Sequence, residues 1–265
     1  MNILFLLKAE IVREVLLARR YLFEAIVSLI MVYITFMGIY FAVRKLAIGG
    51  DDISIASYQL VGFLLWIFAM STIGIFSDEI NASALVGVLE QIFVSPNGLL
   101  RFIICKAVSR TLIQIIPLVT LLLILLFSTG IRLKLDLLAI TTILSLTIAG
   151  FYGLGLFFGG LALLYKRIGP VTMMVRGALL FVTGAMIPID KFPAFLQVVA
   201  KLFPMTQGLI MLRKVTVKGD SLWALIQNGD MSILIINSLI YLTVGLATFK
   251  VMENLSRNKG VIGVY

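Results

Sequence analysis

The chain contains no histidine and a single cysteine, Cys105. Without an imidazole base, Ser–His–Asp and Cys–His mechanisms are excluded. A lone cysteine cannot close an intramolecular disulfide, and thiolate or imidazole metal sites have almost no ligands to draw on. Cys105 therefore reads as a small buried hydrophobe. Charge is also scarce, at 13% of residues, about half the share of an ordinary soluble domain. No G-x-x-x-x-G-K-[ST] run is present, so the chain has no loop to cradle nucleotide phosphates. Lysine and arginine outnumber aspartate and glutamate by 22 to 13, for a net charge of +9. They punctuate the ends of apolar runs and form no basic patch with interleaved aromatics, so nucleic acid is not an expected partner.

What the chain has in excess is apolar sequence. Hydrophobic residues make up 61% of it, and the mean hydropathy is +1.11. A run of about 20 apolar residues crosses a bilayer core as a helix. The expected fold is therefore an all-α integral membrane domain occupying 1–265, with six transmembrane helices. They fall at about 22–43, 58–76, 108–129, 137–164, 169–187 and 232–251. Pro117 is an expected kink in the third. Gly150, Gly153, Gly155, Gly159 and Gly160 in the fourth would let a neighbouring helix approach closely. Lys8, Glu10, Arg13 and Glu14 interrupt the first apolar stretch, which does not read as a cleaved signal peptide. The first span is expected to act as an uncleaved insertion signal. The basic bias places both termini on the cytoplasmic side of the cell membrane.

Three segments do not read as spans. In residues 2–20, Leu4, Leu7, Ile11, Val15 and Ala18 recur at helical spacing opposite Lys8, Glu10, Arg13, Glu14, Arg19 and Arg20. Such a helix lies in the membrane interface or packs on a partner; the plainer alternative is a charged lead-in to the first span. Residues 77–97 are too polar to cross. Leu85, Val88, Leu89 and Ile92 form one stripe, Ser77 or Asp78 is an expected helix start, and Ser95-Pro96-Asn97-Gly98 an expected stop. Residues 190–218 hold two short apolar segments bounded by Pro193, Pro204 and the pair Arg213-Lys214, expected to be re-entrant or interfacial.

Polar residues in apolar runs carry two readings each. Glu24 at the entry of the first span and Arg176 within the fifth are functional candidates by default, yet snorkelling or interfacial placement accounts for both. Asn237 in the sixth span either lines a path or bonds across helices. Asp78 and Glu79 read as a solvated helix start, with no partner that would make them an acid–base pair.

Two stretches resemble a known family, the permeases of type-2 ATP-binding-cassette (ABC) transporters. Ala84-Leu85-Val86-Gly87-Val88-Leu89-Glu90-Gln91-Ile92-Phe93-Val94-Ser95-Pro96 is similar to the family's G-T-L-E-x-L-x-x-(S/T)-P stretch, with Val88 in place of the usual threonine. Gly184 to Pro188, then Phe192-Pro193 and Leu202-Phe203-Pro204-Met205-Thr206, is similar to the proline-bearing segment after span five. The resemblance implies an interfacial connecting helix at 2–20 carrying Arg13, Arg19 and Arg20. It implies a cytoplasmic gate and coupling segment at 77–97 carrying Leu85, Leu89, Glu90, Ser95 and Pro96. It also implies an extracellular re-entrant segment at 190–218, with Pro188, Pro193, Pro204 and Thr206. On this reading Glu90 contacts the connecting helix through Arg13, Arg19 or Arg20. The resemblance also implies that the chain itself binds no cofactor and carries no catalytic activity. ATP and Mg²⁺ sit on a partner ATPase subunit, and a second permease chain, identical or homologous, completes the pathway in the bilayer.

The resemblance implies export of a hydrophobic, drug-like or lipid-like substrate. A permease for polysaccharides or lipid-linked glycans is the alternative within the family. An ion-coupled secondary transporter is the alternative outside it, but neither inverted repeats nor mid-bilayer carboxylates stand out.

Overall fold

A computed structural model describes residues 3–46, 53–95, 98–165 and 168–259. Those residues form eleven α-helices and no strand. Long α-helices follow from the composition, because in lipid every backbone N–H and C=O must be bonded within its own segment. Five helices are long and apolar enough to cross a bilayer. They are α2 (Leu22–Leu46), α3 (Ile53–Leu85), α5 (Leu99–Thr129), α6 (Leu137–Leu164) and α11 (Asp230–Lys259). Preceding them is α1 (Ile3–Arg20), and between them lie α4 (Leu89–Val94), α7 (Gly169–Val182), α8 (Ala194–Leu202), α9 (Pro204–Arg213) and α10 (Leu222–Gln227).

The expected fifth span is shorter than the sequence suggested. It ends at Val182 rather than Ile187, giving 14 residues, or about 21 Å of helix. Gly184, at φ +77°, turns the chain there. Beyond it α8 and α9 meet at 96°, across the break before Pro204. The pair is a broken span or a re-entrant hairpin. A π-helical turn, Lys214–Lys218, extends α9.

At the centre stands α3, the most buried of the five long helices. It packs on α6, α7, α5 and α9. The α6–α11 pair is the most extensive contact in the molecule, and the glycines of α6 explain it. A Cβ on Gly153 would run into the Tyr241 carbonyl and lie 2.6 Å from the Leu242 nitrogen. Gly160 faces the Phe249 Cα, while Gly155 and Gly159 face Phe76 of α3. The glycine run thus seats α6 between two neighbours, as close backbone approach requires. By contrast α2 is peripheral. Phe36 packs with Leu60, Leu64, Leu121 and Leu125, but Phe23, Ile26, Ile30, Met31 and Ile34 are exposed.

Two local expectations fail. No helix starts at Ser77 or Asp78: α3 runs unbroken through both to Leu85. No glycine or proline interrupts residues 75–86, and Asp78 and Glu79 both find cationic partners. Nor do Leu85, Val88, Leu89 and Ile92 share one helix. Val86-Gly87-Val88 breaks it, with Gly87 at φ +74°, a left-handed conformation that glycine takes without a Cβ penalty. Leu85 is consequently exposed while Leu89 is buried. Pro117 does not end α5, which is continuous through it.

Candidate functional site: the α3–α4 end of the bundle

The elbow between α3 and α4 is built from the inside outward. Leu89 and Phe93 of α4 are buried with Ile80 and Ala84 of α3, Leu99 and Ile103 of α5 and Phe249 of α11. Arg257 lies over the Phe93 ring, 5.6 Å from its centroid. The short helix is therefore anchored by two side chains one turn apart. Its other side is open: Leu85, Val86 and Val94 are 81%, 76% and 87% exposed, and Glu90 and Gln91 are exposed beside them. Apolar side chains so open, set among Glu90, Gln91 and Ser95, mark a contact surface.

Behind the elbow, two ion pairs tie α3 to its neighbours. Lys106 of α5 bonds Glu79 of α3; their side chains are only 5% and 12% exposed. Ser83 also donates to Glu79, at 3.3 Å. At the preceding residue, Arg176 of α7 reaches Asp78 with Nη1 at 3.2 Å and Nη2 at 3.5 Å, and donates to the Met70 carbonyl at 3.2 Å. The guanidinium passes over Gly74, where a Cβ would collide with it. Arg176 therefore does not snorkel freely. It braces α7 on α3, helped by Trp66 Nε1, which donates to the Arg176 carbonyl at 3.2 Å. Asp78 and Glu79 each supply one half of a cross-helix contact, Glu79 largely buried and Asp78 with its side chain 52% exposed.

At the opposite end of α3 sits a second brace, centred on a buried arginine. Arg213 donates to the carbonyls of Gly184 and Ala185, each at 2.9 Å, and twice to that of Tyr58, at 3.1 and 2.9 Å. Its Cζ lies 3.2 Å from the Tyr58 ring centroid. Backbone oxygens and an aromatic face, rather than a carboxylate, solvate this charge. It fastens α9 to the start of α3 and to the turn after α7. Sequence reading treated Arg213 only as a boundary marker, and no spacing rule singles it out.

The remaining candidates fall as follows. Arg13 pairs with Glu10 at 3.3 Å, and Arg19 and Arg20 are exposed. Among the described residues Glu90 forms no ion pair, so the expected contact to Arg13, Arg19 or Arg20 is not made within this chain. The reason is geometric: α1 lies on α5 rather than on α4. Ser95 closes α4, its N–H donating to the Ile92 carbonyl at 3.2 Å. Pro96 lies outside the described residues. Pro188 precedes a 3₁₀ turn, Ile189–Lys191, Pro193 caps α8, and Pro204 opens α9 against Gly150. Thr206 is buried and donates to the Thr183 carbonyl at 3.5 Å. Glu24 is exposed in the first turn of α2. Asn237 donates to the Leu202 carbonyl at 2.8 Å, which satisfies the end of α8 and makes it a cross-helix bond.

A comparison with protein-family models decides what this bundle is. The model described as ABC-2 family transporter protein matches residues 50–247, most of the chain. The chain belongs to the ABC-2 transporter family. It is a multi-pass membrane permease of that family. The matched region takes in the α3–α4 elbow, both ion pairs and the Arg213 brace, and leaves out α1 and α2. No curated protein matches the sequence.

Proposed function

We propose that this ABC-2 permease exports a hydrophobic, drug-like or lipid-like substrate, driven by ATP hydrolysed on a separate ATPase subunit that docks on the α3–α4 elbow. The observation that carries the reading is the elbow itself: two buried anchors, Leu89 and Phe93, beneath an exposed rim of Leu85, Val86, Val94 and Glu90. The absence of a P-loop in the sequence supports a second chain as the source of ATPase activity. In this reading the elbow faces the cytoplasm, α8 and α9 lie on the outer side, and six crossings result when α7 spans the core. Two permease chains flank the pathway. ATPase closure pushes on α4. Leu89 and Phe93 pass the push to α3, and the ion pairs at Glu79 and Asp78 carry it to α5 and α7 as a rigid-body shift. The drive enters only through differential contact between the elbow and the two ATPase states. Glu90, which forms no ion pair among the described residues, supplies a charged contact on that surface.

Affinity purification of the tagged chain from native membranes in mild detergent tests this reading. The wild-type chain is expected to retain a P-loop ATPase, identified by mass spectrometry. Leu85→Asp/Val86→Asp is expected to retain at least about tenfold less, because each side chain otherwise buries about 1.5 kcal/mol or more of apolar surface. Glu90→Arg is expected to weaken retention as well. All three positions are exposed, so folding should change by no more than about 0.5 kcal/mol. A wild-type chain that retains no ATPase, or a double variant that retains it fully, overturns the proposal.

A further inference from the structure

One face of α1 is left without a partner among the described residues. Ala9, Val12, Arg13, Leu16, Leu17 and Arg20 line a groove of about 310 Å³ along it. Their positions, i, i+3, i+4, i+7, i+8 and i+11, are those of a single helical stripe. The helix docks on α5 through the adjoining side, where Leu6 and Glu10 are buried. The groove floor is apolar, with Val12 and Leu16 half exposed or more. Its rim is cationic, with Arg13 and Arg20 two turns apart, and Arg19 and Lys8 exposed nearby. Of the carboxylates on α1, Glu10 is buried and engaged by Arg13, which leaves Glu14 as the acidic group without a bonded partner among the described residues. The stripe ends at Arg20, directly before α2, whose opening turns expose Leu22, Phe23, Ile26 and Val27.

We propose that this groove binds an anionic phospholipid. Arg13 and Arg20 hold the headgroup phosphate, Val12 and Leu16 meet the glycerol and upper acyl carbons, and the chains descend along the exposed face of α2. A cationic rim over an apolar floor that continues into an apolar helix matches a lipid in charge and in length. A soluble anion would leave Val12 and Leu16 without an apolar contact. A basic side chain near an anionic headgroup surface contributes about 1 kcal/mol, or roughly fivefold in binding. The inference rests on α1 lying at the membrane interface, with the elbow at the same membrane side. It does not need the ATPase or the substrate.

The test uses the full-length chain in detergent, titrated with phosphatidylglycerol or phosphatidylcholine and read by native mass spectrometry. Phosphatidylglycerol is expected to be retained preferentially, and Arg13→Gln/Arg20→Gln is expected to lose about thirtyfold of that preference. Lys8→Gln/Arg19→Gln, off the stripe, is expected to keep it. Arg20→Glu alone should reverse the preference should the double variant misfold. Equal loss in both double variants would mean a diffuse basic surface, and retained preference in Arg13→Gln/Arg20→Gln would mean no site; either overturns the proposal. So does loss of the partner ATPase with lipid preference unchanged, which would make the groove a protein interface. An unchanged ATPase complex with no lipid preference refutes this inference while leaving the transporter reading intact.

Discussion

Gly153→Leu is expected to prevent α6 and α11 from seating against each other and to abolish accumulation of the folded chain. Most glycine substitutions in membrane helices meet side chains that can rotate away. At Gly153 the obstacle is backbone: the Tyr241 carbonyl and the Leu242 nitrogen, with Gly245 approaching the Gly153 carbonyl from the other helix. Neither strand of backbone can yield without parting the helices, and this is the most extensive helix pair in the fold. Pro204, Ser238 and Phe249 are aligned along the same seam, so the separation would propagate from the α9 junction to the elbow. The expected cost exceeds the ~1–3 kcal/mol of ordinary overpacking, because the obstacle is backbone, and reaches the exceptional range above about 4 kcal/mol. Gly38→Leu is the matched control. Gly38 lies on peripheral α2 with nothing within 4 Å of a built Cβ, so its variant should fold normally. The yield of monodisperse chain on size exclusion, with its thermal midpoint in detergent, separates the two outcomes.

Lys106→Met is expected to be the most damaging single removal of charge. It strands the Glu79 carboxylate in a site where that side chain is 12% exposed and its partner 5%. Breaking one half of a buried pair costs about 3–5 kcal/mol, because the remaining charge has lost its compensation. Ser83 still donates to Glu79, but one hydroxyl does not replace an ammonium. Removing both charges together, as Lys106→Met/Glu79→Leu, should recover most of the loss, since an apolar pair of similar size is often neutral relative to a buried ion pair. Thermal midpoints of the wild type, both single variants and the double variant give the coupling directly. If the double variant is as unstable as Lys106→Met, the charge itself is not what the site requires.

Much of this architecture is legible in the sequence, and the failures have a common cause. Span positions follow from apolar run length, and the glycine run in α6 announces close helix packing because only backbone can then fill the gap. The bend at Pro204 is equally local: a proline opens α9 where α8 has just ended. Run length could not show that α3 continues past Asp78 and Glu79 to Leu85. Two carboxylates end a span only when water is their sole partner, and here Lys106 and Arg176 arrive from helices 27 and 98 residues away. One cue was available: Glu79 and Lys106 flank the α3–α5 hairpin, and antiparallel helices bring such positions level. Periodicity also joined Leu85 to Leu89 across Gly87, because spacing rules assume an unbroken helix. Arg213 had no local cue at all, since its partners are carbonyls on two remote stretches, Tyr58 and Gly184-Ala185. Arg176 shows the reverse error. A solitary arginine in an apolar run invites a snorkelling reading unless Gly74 is seen to open the way to Asp78.

The central claim, that the α3–α4 elbow is where this permease meets its ATPase, can be read from a single cross-link. Cys105 is the chain's only cysteine and is buried, so Val86→Cys presents one accessible thiol for a maleimide photo-cross-linker in native membranes. Phe195→Cys, equally exposed on α8, serves as the opposite-end control. The account predicts a P-loop ATPase adduct from Val86→Cys and none from Phe195→Cys. An adduct from Phe195→Cys alone, or equal adducts from both, would contradict it.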